Sequence, residues 1–118
     1  VRDVYPTEEE LNTIEKWDLI ECDKGTYKKL YELIDYVKEL WNYEDRFRVG
    51  KLHKDRLFKD RKIRTIYMST GGWSGNEEII CALEKNLIFW MMYWHKSQRG
   101  GHYWFEIPPL KVKLKDGQ

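Results

Sequence analysis

The amino-acid sequence predicts an α+β domain: two N-terminal helices, then a small antiparallel sheet with a helix inserted after its first strand. Three observations carry this prediction. Apolar residues recur at three- and four-residue spacing from Leu30 to Trp41, which is the stripe of an amphipathic helix. The runs Ile63–Ser69 and His102–Ile107 are rich in β-branched and aromatic residues. Between them lies Thr70-Gly-Gly-Trp-Ser-Gly-Asn-Glu77, glycine turn chemistry that leads into a helix-capping pattern. The 118 residues fit a single domain, 1–118. Within it we distinguish a helical acidic part (1–45), a basic connector (46–64), a strand–helix–hairpin part (65–110) and a tail (111–118).

Each element has a local reason. Thr7 can cap a first helix over residues 8–17. Glu10 stands at the third helical position, where its carboxylate can accept the reciprocal hydrogen bond. The second helix covers 26–42 and buries Leu30, Leu33, Ile34, Val37, Leu40 and Trp41. From Val49 to Asp60 the only strong apolar anchors are Leu52, Leu57 and Phe58, so this stretch reads as a loop with a short strand or turn. In the strand 63–69, Ile63, Thr65, Tyr67 and Ser69 share one face, and Ile66 and Met68 the other. Ser74 and Glu77 form an S-x-x-E capping box for a helix over 77–85, which Asn86 ends. Leu87–His95 is apolar on both faces and suits either a longer helix or a strand buried on both sides. The turn chemistry of Ser97–Gly101 and the β-rich run after it favour the strand, and hence a hairpin. Pro108-Pro109 ends that hairpin, and 110–115 alternates as an edge strand or loose end.

Composition narrows the function classes. The chain is 42% apolar and 35% charged, a globular rather than a disordered balance. Six tryptophans and eight tyrosines are more than a core of this size needs, and aromatics also serve recognition surfaces. The net charge of +1 hides a segregation: residues 1–45 carry 13 acidic and 6 basic side chains, and 46–64 carry 2 and 9. That basic block makes a local positive field that attracts phosphates or an acidic protein, or pairs with the acidic helices. A nonspecific duplex binder would carry a larger basic excess overall. Cys81, in the apolar run Ile79–Leu83, reads as a small buried hydrophobe. The spacing of Cys22 and Cys81, and of His53, His95 and His102, suggests no metal site, and no cofactor is expected. No signal peptide is visible and the longest apolar run is the eight residues Leu87–Trp94, so the expected setting is a reducing cytoplasm with no membrane partner.

The candidate site is the pair of glycine turns. A strand, a glycine-rich turn and a capped helix recur where backbone N–H groups hold phosphate. Here they would be supplied by Thr70, Gly71, Gly72, Trp73, Ser74, Gly75 and Asn76, with Trp73 as a stacking plane. The Walker spacing and its lysine are absent, and so is the dinucleotide fingerprint, so no ATPase mechanism follows. In the second turn Arg99 offers a bidentate phosphate fork and His102 a hydrogen bond, provided both turns lie at one end of the sheet. The leading expectation is a small binding protein for a phosphate-bearing ligand, a nucleotide or a nucleic-acid end. The alternative is a protein-binding inhibitor or accessory factor acting through the acidic helices or exposed aromatics. A third is a small hydrolase or transferase in which His102 and Glu77, or His95 and Glu106, act as acid–base pairs. The pattern names no catalytic residue.

The segments STGGWSGNEEII (69–80) and RGGHYWFEI (99–107) resemble small bacteriophage and prophage proteins in which a TGGWSGNE-type loop precedes a helix and an RGGHY-type turn follows an aromatic run. The resemblance spans about residues 63–107. It implies a phage origin and the cytoplasm of a bacterial host, where small proteins act by binding a host defence or regulatory protein or a nucleotide signal. It carries over no catalytic residue.

Overall fold

The computed structural model describes residues 5–20 and 26–111. Cys22 and most of the alternating tail lie outside them. Helix α1 (Glu8–Glu15) and helix α2 (Lys28–Leu40) come first, followed by a short 3-10 turn (Glu44–Arg46). Strands β1 (Phe47–Lys54) and β2 (Lys62–Ser69) form a hairpin. Helices α3 (Ser74–Lys85) and α4 (Leu87–Tyr93) lead to a second hairpin, β3 (Trp94–Gln98) and β4 (His102–Ile107). The sheet is antiparallel with strand order β1-β2-β4-β3. The α+β class is as expected, and the element order differs. The helix after the glycine loop follows the second strand, because residues 47–54, most of them in the stretch 49–60 read as a loop with a short strand or turn, form a full eight-residue strand against β2. That strand escapes the apolar pattern because only Phe47 of its eight residues is buried.

One face of the sheet carries the core. Phe47, Ile66, Met68, Phe105 and Ile107 pack with Leu30, Leu33, Ile34 and Val37 of α2 and with Ile79, Ile80 and Leu83 of α3. The expected capping box at α1 forms: Thr7 Oγ1 accepts from the Glu10 N–H, and the Thr7 N–H donates to the Glu10 carboxylate. The one expected at α3 does not. Trp73 is the N-cap, and Ser74 is the first helical residue, hydrogen-bonded to the Tyr5 hydroxyl at 2.9 Å.

Residues 87–93 are helical rather than extended. Asn86 is buried, and its Oδ1 accepts from the Phe89 N–H, which starts α4. Its Nδ2 donates to the carbonyls of Ile14 and Trp17, 3.0 Å each, and so ties α4 to α1. Phe89 and Tyr93, one turn apart, face the core, while Leu87, Ile88, Met91 and Met92 are exposed. The all-round apolar pattern therefore reflects a surface helix with an apolar outer face. Cys81 is exposed, not buried, because it lies on the outer side of α3 while its neighbours Ile80 and Ala82 turn inward.

Candidate ligand-binding surface

The two glycine turns meet at one end of the sheet. Ser69 pairs with His102 at the last register position of β2 and β4, and the Thr70 N–H donates to the Gly101 carbonyl at 2.9 Å. The short α4 ends before β3 begins, so it does not hold the turns apart. Gly71 and Gly72 sit at φ +62° and +77° inside a turn closed by the Trp73 N–H on the Thr70 carbonyl. Side chains other than glycine rarely enter that region.

The predicted residues at this corner divide by exposure. Thr70, Gly75 and Asn76 are buried. Asn76 is a strut: its Oδ1 accepts from the Asn42 N–H at 2.9 Å, and its Nδ2 donates to the carbonyls of Asn42 and Thr70. The Trp73 ring lies back over Gly75 and under Tyr5, whose ring centroid is 4.9 Å away. Gly71, Gly72, Ser74 and Arg99 are exposed, and His102 is half-buried. The cation resting on the glycine loop is one the sequence did not single out, Arg46. Its side chain runs across Gly71 and beside the Tyr43 ring. Its only sequence signal is its place as the first residue of the basic block.

The face of the sheet away from the core presents a second constellation. Cross-strand register aligns Arg48, Tyr67, Trp104 and Lys96 in one row over all four strands. Directly paired side chains project on the same side of a sheet. Tyr67 and Trp104 touch at 5.1 Å between ring centroids, and the Lys96 ammonium stands 4.6 Å over the Trp104 ring. One row nearer the glycine turns, His102 stacks on Tyr67 at 5.9 Å with planes 14° apart. The Tyr67 hydroxyl lies 2.6 Å from His102 Nδ1. One row the other way, His53 Nε2 bonds Thr65 Oγ1 at 2.9 Å, and His95 approaches Glu106 at 3.7 Å. None of these side chains belongs to the core cluster. Tyr67, His102 and Trp104 are each half-buried.

Of the expected acid–base pairs, His95 and Glu106 do come together, whereas the partner of His102 is Tyr67. No cluster of three metal-binding side chains occurs among the described residues, and no helix among them is long and apolar enough to cross a membrane. Strand alternation could have found this surface: Thr65 and Tyr67 on β2, and His102, Trp104 and Glu106 on β4, are the non-core positions of two central strands. Fold and surface define a two-layer α+β domain with an open face that carries cations around aromatics. No protein-family model, curated protein or solved structure matches the chain.

Proposed function

We propose that this protein binds a phosphate-bearing ligand with stackable bases, a nucleotide or the end of a nucleic-acid strand, on its open sheet face. The observation that carries the reading is the row Arg48–Tyr67–Trp104–Lys96: two touching aromatics on the central strands with a cation on each side. Aromatic planes accept any base by stacking, and flanking cations follow the phosphates. His102 extends the aromatic row toward the glycine turns, where Arg46, Arg99 and the exposed Gly71 and Gly72 adjoin it. Trp73, covered by Tyr5, acts in folding rather than in stacking. The phage resemblance, and with it a bacterial cytoplasm, fits such a module.

The second reading is a docking protein for a host factor. It is favoured by α4, where Met91 is 80% exposed with Leu87, Ile88 and Met92 beside it. Contiguous apolar surface of that kind marks protein contacts.

The deciding experiment is a fluorescence-anisotropy titration of a labelled single-stranded oligonucleotide, with mononucleotides as competitors. Trp104→Ala should weaken binding by roughly 5- to 150-fold, the equivalent of about 1–3 kcal/mol for one stacked base. Trp73→Ala should lower thermal stability and leave the affinity of the folded fraction intact. Wild-type affinity in both Trp104→Ala and Tyr67→Ala would remove the sheet face as the site.

A further inference from the structure

The β1–β2 hairpin ends in residues 55–61, and its tip carries the most exposed apolar side chain among the described residues. Leu57 is 84% exposed and the adjacent Phe58 57%. This is not a slack loop. The Asp55 N–H donates to the Arg61 carbonyl at 2.9 Å, and the Arg61 N–H donates to the Phe58 carbonyl at 2.8 Å. The Asp55 carboxylate accepts from the Leu57 N–H at 2.9 Å and from the Arg61 guanidinium. A buried carboxylate thus holds the turn that points two large apolar residues into solvent. Around and behind them Lys51, Lys54, Arg56, Lys59 and Lys62 are exposed.

From these features, and resting on the nucleic-acid reading above, we infer that the hairpin is an apolar-tipped basic arm. It grips a polynucleotide beyond the segment stacked on the sheet, with Leu57 and Phe58 wedged against its bases. Apolar side chains flanked by Lys and Arg insert between bases in this way. The distribution of charge favours a polynucleotide over an anionic membrane, the other surface that an apolar tip in a basic collar fits. Arg48 lies near the far end of a strand that rises about 3.3 Å per residue, so it stands roughly 20 Å from Lys54. Fields at a membrane surface fade within a Debye length of about 8 Å. A membrane that met the tip would lie out of reach of Arg46 and Arg48, whereas a strand running along the ribbon reaches them. Arg48 is also the end of the aromatic row, so the strand that carries the arm borders the sheet face, with His53 on the same side of it as Tyr67.

The test uses the intact protein and four probes: AMP, a single-stranded 20-mer, a 20-base-pair duplex, and vesicles containing one third phosphatidylserine. The variant is Leu57→Ser/Phe58→Ser, at exposed positions outside the core, with the melting temperature as the check on folding. The expected result is at least a tenfold loss of affinity for whichever polynucleotide binds best, with AMP affinity and the salt dependence of polynucleotide binding unchanged. Lys54→Ala/Lys59→Ala should instead flatten the salt dependence by about 0.7 to 0.9 for each phosphate that is no longer neutralised. Wild-type polynucleotide affinity in the Ser/Ser variant overturns the arm, even where Trp104→Ala confirms the sheet face. Vesicle binding that the Ser/Ser substitution abolishes, without polynucleotide binding, overturns it in favour of a membrane. A drop in affinity in the Ser/Ser variant with none in either Trp104→Ala or Tyr67→Ala supports the arm and discards the sheet face.

Discussion

Asn76 gives the sharpest test of how the glycine corner is built. The sequence offers it as a ligand-binding amide, and the structure makes it an internal clamp between the end of α2 and the Thr70 turn. Asn76→Ala removes three hydrogen bonds. The Thr70 carbonyl keeps a partner in the Trp73 N–H, so the effect there is partial. The N–H and carbonyl of Asn42, a buried residue, lose their partners outright. A buried backbone group left without a partner costs about 1–3 kcal/mol, so two give roughly 2–6 kcal/mol. Against a typical domain stability of about 5–15 kcal/mol that is a large fraction. For a chain of this size each kcal/mol moves the melting temperature by roughly 3–6 °C, so the midpoint should fall on the order of 10–20 °C. Circular dichroism melts and urea titrations with an unchanged slope measure this directly. Asn76→Asp should do no better, since a carboxylate cannot donate to either carbonyl. A midpoint within about 2 °C of wild type for Asn76→Ala would refute the clamp and return Asn76 to the surface.

Two further outcomes follow from the same corner and the hairpin. Gly101→Ala and Gly72→Ala should differ although both residues have positive φ: a Cβ at Gly101 overlaps Thr70 Oγ1, whereas one at Gly72 meets nothing. Gly72→Ala should cost about 1–2 kcal/mol of backbone strain and Gly101→Ala clearly more; equal melting temperatures would contradict the close approach of the two turns. The Leu57 N–H and then the Arg61 guanidinium hold the Asp55 carboxyl below the usual carboxylate range. This stabilisation of the hairpin is complete above the ordinary carboxylate value and disappears as pH falls through the lower folded-state value. An NMR titration of Asp55 should show that depression, and Arg61→Ala should reduce it; an ordinary value in wild type would refute the arrangement.

What was legible in the sequence had a local cause. The Thr7–Glu10 capping box, the α2 stripe and the strand 62–69 are written within a few residues of themselves. What was missed depends on partners far along the chain. Strand β1 looks polar because it is the sheet's edge and leaves seven of its eight residues without full burial, so hydrophobic alternation had little to register. The start of α4 depends on Asn86 reaching back to Ile14 and Trp17, 72 and 69 residues away. The candidate site shows the same division. The glycine turns were visible and do meet, but the capping grammar of TGGWSGNE, which suggested a phosphate cradle, is largely taken up inside the fold. The N–H groups of Gly72 and Trp73 both turn back on Thr70.

The excess of aromatics can now be apportioned, and the division is what points to the sheet face. Trp41 is buried and donates its indole N–H to the Ser69 carbonyl at 3.1 Å; Trp17 does the same to the Lys29 carbonyl at 2.9 Å. Both have the signature of structural tryptophans, the Trp41 ring in the core, the Trp17 ring packed against it, and each polar edge satisfied by backbone. Trp90 packs against Phe105 and Trp94, and Trp73 lies under Tyr5. Trp104 differs from all of them. It stands on a central strand with its neighbours Tyr67, His102 and Lys96 all on the uncovered face, outside the core cluster. Core packing accounts for Phe105 on the other side of the same strand, but it gives no reason for a large aromatic at 104, where a polar residue would suit solvent better. The stacking ligand proposed above would give that reason, and the two cations aligned with Trp104 would suit an anionic one.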